Sequence, residues 1–271
     1  MNEPSDIPPN ATPPTAGSGR ELHQPDPPLV DPFMASGTML HAGRALHKPD
    51  PPLGEVEGDR KPITSLAAAI EAVLREPRRV LYQLTQPQQG RLTRELLLLT
   101  LLSSYIYGLV VGTFSGGEQL LAAPVKIAGG LLLSAVICLP SLYIFSCLSG
   151  ARASLSEVCG LFAAFLALTT ILLVGFAPVA WVFSQSTASV ATMGALHLLF
   201  WFIATAFGLR LLERGFYHFG AQGAMMRIWT AIFVLVALQM TTALRPLVGT
   251  APTLLPATKQ FFLAHWMEAI Q

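Results

Sequence analysis

Three groups of residues in this chain have the types and spacing to do chemistry. The first is His197, a lone histidine deep inside an apolar stretch. An ionisable group at membrane depth is a candidate for proton transfer or substrate contact. The competing reading is a neutral imidazole hydrogen-bonded to a neighbouring helix. The residues favour the second reading, because a proton relay needs an acid at similar depth. Glu118, Glu157 and Glu213 all fall at the ends of apolar stretches. The cysteines form the second group. Cys138, Cys147 and Cys159 are odd in number, lack metal-ligand spacing and lie in or beside apolar runs. They read as small packing residues.

The third group is an internal repeat. Gly19-Arg20-Glu21-Leu22-His23-Gln24-Pro25-Asp26-Pro27-Pro28-Leu29 recurs as Gly43-Arg44-Ala45-Leu46-His47-Lys48-Pro49-Asp50-Pro51-Pro52-Leu53. Nine of eleven positions are identical, at an offset of 24 residues. Pro-Asp-Pro-Pro favours an extended polyproline conformation, which lowers the entropy cost of entering a groove. Leu22 and Leu29, like Leu46 and Leu53, bracket it as apolar anchors, while His23 and His47 add polar contacts. The two histidines are too isolated for a metal site. The expectation is a pair of equivalent docking peptides for one cytoplasmic protein, able to bind with avidity. The bland alternative is a tandem duplication in an unconstrained tail.

The elements that carry these groups follow from composition. The chain has 271 residues, 52% hydrophobic and only 12% charged. That is roughly half the usual charged share of a globular domain. Residues 1–95 hold 10 of the 17 Lys+Arg and 12 of the 16 Asp+Glu. Residues 96–256 hold six basic groups and three acids, too few for a wetted surface. A soluble enzyme is excluded, and the expected fold is an all-α polytopic membrane protein.

Five apolar segments, at about 96–115, 124–148, 158–183, 189–212 and 228–248, are each long enough for a bilayer. Together they make a span region of 95–248, with short connections that predict a compact bundle of antiparallel neighbours. Arg75, Arg78, Arg79, Arg91, Arg94, Arg152, Arg210, Arg214 and Arg227 fall on one side of it, against Lys126, Arg245 and Lys259 on the other. The Lys/Arg bias places the N-terminus in the cytoplasm and, with five spans, the C-terminus outside. The first long apolar run begins near Leu96, so the first span is expected to act as an uncleaved signal-anchor. Inside the spans, Gly108, Gly112 and Gly116 make a smooth ridge for helix packing, and Pro140 and Pro178 are expected to kink their helices.

Residues 1–62 contain 13 of the 21 prolines and read as a disordered cytoplasmic arm. The segment 63–94 joins arm to bundle. In it, Ser65–Arg75 reads as an amphipathic helix with Leu66, Ile70, Val73 and Leu74 on one face, ended by Pro77. Arg75, Arg78, Arg79, Arg91 and Arg94 are expected to face anionic headgroups. The tail 249–271 is expected outside, with an interfacial helix near 258–270.

The Pro-rich arm, the element Leu74-Arg75-Glu76-Pro77-Arg78-Arg79 and five closely spaced spans together resemble the YIP family. These are the Ypt/Rab-interacting five-span membrane proteins and their bacterial relatives. The resemblance covers about residues 65–250 and rests mainly on topology. It implies a non-enzymatic membrane organiser or adaptor; separately, the expected location is a bacterial inner membrane. No hydrolase, zincin or phosphate-loop motif is present, and no cofactor or nucleic-acid partner is expected. Transport through a kinked bundle is the alternative function. Thr169, Thr170, His197, Gln239, Thr241 and Thr242 are the polar groups available to line a path.

Overall fold

The computed structural model describes residues 51–117, 119–221 and 223–243. Every regular element among them is helical. A 3-10 turn at Glu57–Arg60 precedes two short helices, α1 (Leu66–Arg75) and α2 (Pro77–Leu84). Five long helices follow: α3 (Gln89–Ser115), α4 (Gln119–Leu148), α5 (Leu155–Ser186), α6 (Val190–His218) and α7 (Gly223–Ala243). Helices α3 to α6 are long and apolar enough to cross a membrane, while the apolar part of α7 is the shorter stretch Met225–Thr241. The fold is an all-α membrane bundle.

The helix starts are written in the sequence as caps. The Ser65 hydroxyl accepts from the Ala68 N–H at the head of α1, and Pro77 takes the first turn of α2, where its missing N–H costs nothing. At α5 the Ser154 hydroxyl accepts from Glu157 N–H while the Glu157 carboxylate takes the Ser154 N–H, a complete capping box. Gly116, with φ at +66°, ends α3 in a backbone conformation that side chains resist. The third member of the Gly108 ridge is therefore a helix terminator.

Several helices overrun their apolar runs. Helix α3 starts at Gln89, so Arg91 and Arg94 ride its first turns, and α6 continues to His218. Backbone hydrogen bonding does not stop where hydropathy falls. Pro140 and Pro178 lie inside continuous helices and are exposed. Substitutes for the lost hydrogen bond keep such helices intact in bundles.

Packing order departs from chain order. Helix α5 is central, against α3 on one side and α6 on the other, while α4 packs on α3 and α7. Helices α4 and α5 are consecutive yet barely touch, which corrects the expectation that sequence neighbours would pair throughout. Helices α3 and α5 begin at the same end, where Gln89 Nε2 donates to Ser156 Oγ at 2.9 Å.

The reason lies in small residues. In lipid, helices gain little by hiding apolar area from one another, so close van der Waals packing decides the pairs. Helix α5 buries Gly160, Ala163, Ala164 and Ala167, which form shallow seats for larger neighbours. A Cβ on Gly160 would meet Leu84 Cδ2 at 2.7 Å and Thr93 Oγ1 at 3.0 Å. On α6, a Cβ on Gly208 would strike Thr169 and Phe165, and one on Gly215 would strike Leu161. Gly108 does the same for α3, its missing Cβ making room for the backbone of Pro124 on α4. Gly112 is also buried.

Helix α7 is held by aromatics. Trp229 is fully buried, with its ring centroid 5.7 Å from Phe162 and 5.4 Å from Phe233. Phe233 in turn meets Phe165 at 5.1 Å. The Trp229 indole N–H points to the Ser141 hydroxyl at 3.2 Å and the Cys138 carbonyl at 3.4 Å. One side chain thus ties α7 to both α4 and α5.

Candidate functional site

The end of the bundle where α3, α5 and α7 begin carries a collar built from α1, α2 and the chain that precedes them. Residues 51–64 run across α2 and the start of α3 in an irregular path. Pro51, Pro52 and Pro62 contribute no N–H, and the local turns of this path leave several of its carbonyls in need of donors from elsewhere. Arginines supply them. Arg78 Nη2 donates to the Pro51 carbonyl at 2.8 Å, the Pro52 carbonyl at 3.1 Å and Asp59 Oδ2 at 3.2 Å. Arg79 donates to Lys61 O at 2.9 Å and Pro62 O at 3.0 Å, and pairs with Glu76 at 2.8 Å. Arg91 reaches Thr64 O at 2.9 Å and Glu95 at 3.0 Å. Arg79 uses the whole planar fork, with Nε, Nη1 and Nη2 each on a different acceptor.

Asp59 is the centre of the clasp. Its carboxylate, about 6% exposed, takes the Gly54 N–H at 3.1 Å as well as the Arg78 head. Arg60 Nε closes the loop onto the Gly54 carbonyl at 2.8 Å. Gly54 has φ at +87°, and a Cβ there would strike the Tyr82 ring, so two separate facts require glycine. Leu53 packs against the buried core formed by α1, α2 and the bundle. Arg78 Nε and Nη1 are buried with no partner among the described residues.

These contacts change several expectations. Residues 51–62 belong to a folded collar, so the arm read as 1–62 is shortened by its last segment. The signal was present in Gly54 and Asp59, but the hydrophobic content of the stretch is too low to announce it. Of the five arginines assigned to headgroups, Arg78 and Arg79 are engaged by the chain itself and Arg91 is partly so. Arg75 is 80% exposed beside Glu71, and Arg94 is exposed at a shallow hollow lined by Pro87, Gln88, Gly90 and Arg91.

The amphipathic helix also turns inward. Ala69, Ala72 and Val73 of α1 are buried in the core, Leu66 and Ile70 pack beside them, and Leu74 is exposed. The true stripe is 66, 69, 70, 72 and 73, which share one helix face. Counting only large apolar residues hid its two alanines and included Leu74.

Of the repeat, the structure describes Pro51, Pro52 and Leu53 alone. Leu22, His23, Pro25, Asp26, Pro27, Pro28, Leu29, Leu46, His47, Pro49 and Asp50 lie outside the described residues, as does the tail 249–271.

At the other half of the bundle, Tyr107 of α3 and His197 of α6 meet. The phenol oxygen lies 2.7 Å from Nδ1, with the two rings edge to face. Helices α3 and α6 share few other contacts, so the bond spans a gap in the packing. Nε2 is buried with no partner among the described residues. Tyrosine 107 is the partner that the sequence left unnamed. Three threonines considered for a path turn back on their own helices: Thr169 donates to Phe165 O, Thr170 to Leu166 O and Thr241 to Leu238 O.

A structural role for the pair predicts a graded response to mutation. His197→Gln keeps a polar group in reach of Tyr107 and should unfold within a few degrees of the parent. His197→Leu leaves the buried phenol without its hydrogen-bond partner and should cost about 1–3 kcal/mol. Thermal unfolding of the detergent-solubilised variants measures both. A folded His197→Gln protein that lost a pH-dependent activity would contradict the structural role.

No protein-family model, curated protein or solved structure matches this chain.

Proposed function

We propose that the protein is a non-enzymatic membrane scaffold or adaptor that displays its N-terminal arm to a cytoplasmic protein. The observation that carries this reading is the collar. It fixes the arm to the bundle at Pro51 through three acceptors on one arginine, so whatever the arm binds is held at the membrane surface. In this reading the collar end faces the cytoplasm of a bacterial inner membrane and α7 makes a fifth crossing. The basic residues support that orientation. The ends of α3, α5 and α7 on the collar side carry Arg91, Arg94, Arg152 and Arg227, and α6 brings Arg210 and Arg214 to the same end. Exposed Arg75 and Arg94 serve anionic headgroups. The YIP-like architecture is part of the same proposal. The hydroxyls that turn back on their own helices count against a polar path through the bundle.

Affinity capture with the full-length protein tests the reading. The wild type is compared with a variant carrying Leu22→Ala, Leu29→Ala and Leu46→Ala. The expected result is a small set of cytoplasmic proteins whose capture needs those leucines. Identical sets from both proteins would overturn the adaptor role.

A further inference from the structure

The two copies of the repeat share nine of eleven positions, yet the chain that follows them differs completely. After Leu53 come Gly54-Glu55-Val56-Glu57-Gly58-Asp59, and after Leu29 come Val30-Asp31-Pro32-Phe33-Met34-Ala35. The clasp uses the second set. Gly54 supplies a positive φ, an N–H for Asp59 and room for the Tyr82 ring. Asp59, six positions beyond the leucine, neutralises Arg78 while Arg78 holds the two proline carbonyls.

None of this can be rebuilt on the first copy. Val30 stands where Gly54 is required, and a β-branched residue at positive φ is a steric outlier. Its side chain would also meet Tyr82. Ala35 stands where Asp59 is required, so Arg78 would lose its counter-charge in a largely buried position. The first copy offers the same Pro-Pro-Leu carbonyls and apolar anchor, but without the residues that lock them.

We propose that the two copies are not equivalent: the Arg78–Asp59 clasp is a peptide-recognition site whose occupant is the Pro51-Pro52-Leu53 end of the second copy. The second copy is the anchor of the arm. The first copy is the one available to a partner. That last consequence rests on the adaptor reading, whereas the clasp itself does not.

The site has the features of peptide recognition in general. Main-chain carbonyls are held by fixed donors, a leucine enters an apolar seat, and prolines limit the entropy lost on binding. Because the ligand is covalently joined to the site, it faces no competition at ordinary concentration from a free peptide of similar sequence. Duplication of the motif then separates two tasks. One copy can stay in the clasp while the other varies its neighbours and its partner.

Hydrogen–deuterium exchange on the full-length protein in lipid nanodiscs tests this, because it requires no partner. The readout is the peptide covering residues 53–61, where the Gly54 and Asp59 amides are hydrogen-bonded. Gly54→Val and Arg78→Gln should each raise exchange there by about tenfold or more, the scale of a lost charge-assisted hydrogen bond. Leu22→Ala with Leu29→Ala should leave it unchanged. Exchange along 161–167 of the central helix reports that the bundle is intact in every variant. Unprotected amides at 53–61 in the wild type would overturn the clasp. Equal exchange in wild type, Gly54→Val and Arg78→Gln would do the same. Exposure of 53–61 by the Leu22→Ala, Leu29→Ala pair would show that the first copy takes part in the clasp, and non-equivalence would fall. A failed capture experiment with an intact exchange pattern would remove the adaptor role and leave the clasp standing.

Discussion

Replacing Trp229 with alanine is expected to free α7 from the bundle. Trp229 is 0% exposed, makes ring contacts with Phe162 and Phe233, and donates its N–H toward α4. Truncating a buried tryptophan in a water-soluble core costs about 3–5 kcal/mol, part transfer and part cavity. In a bilayer the transfer part shrinks, since a helix leaving the bundle meets lipid instead of water. The cavity and lost ring contacts remain, so roughly 2–4 kcal/mol is expected. Trp229→Phe keeps most of the packing and removes only the N–H, for about 0.5–1.5 kcal/mol. Unfolding in mixed micelles, followed by circular dichroism, should rank the proteins wild type, Trp229→Phe, Trp229→Ala. Helix α7 has few contacts with α6, so no other helix can compensate on its far side. An alanine variant that unfolds with the wild type would show that the aromatic cluster does not hold α7.

Cysteine labelling in intact cells is the other experiment with an all-or-none outcome, and it decides the orientation. With Cys138, Cys147 and Cys159 replaced by alanine, a cysteine at Ser186 should react with an impermeant thiol reagent. One at Arg152 should react only after the membrane is opened. The structure chooses these positions. Ser186 and Arg152 are exposed at opposite ends of α5, whereas neighbouring Ser149 is buried, its hydroxyl on Phe145 O at 2.7 Å. A cysteine at position 149 would be silent for reasons of packing alone. A third cysteine at Gln271 tests the fifth crossing: labelling from outside is expected if α7 spans. The reverse pattern at 186 and 152 would place the collar outside, and the adaptor reading would lose its cytoplasmic partner.

Both experiments bear on a chain whose class was plain in its sequence. The scarcity of charge between residues 96 and 256 leaves no wetted surface to cover a soluble core, and its apolar runs are continuous where barrel strands would alternate, which selects helices in lipid. Cap residues such as Ser65, Ser154 and Glu157 fix where helices start, because their hydrogen bonds are local and need no partner helix. Long apolar runs, caps and proline positions are short-range quantities, and they were legible in order along the chain.

Contacts between distant residues were not. Gly208 and Gly215 matter only because Phe165, Thr169 and Leu161 arrive opposite them, and nothing in either stretch names the other. Tyr107 and His197 are 90 residues apart, and their hydrogen bond depends on α3 and α6 meeting around α5. The collar is the sharpest case. Arg78 and Arg79 look like membrane-surface cations in sequence, beside a lipid layer and rich in charge. Folding instead brings them to the carbonyls of Pro51, Pro52 and Pro62, and to Asp59, 19 positions before Arg78. Sequence alone determined that this is a helical membrane protein with a duplicated proline motif on its arm. Tertiary structure decided which helices pair and which copy of the motif is held, because both depend on steric fit and donor geometry between segments that local propensity cannot bring together.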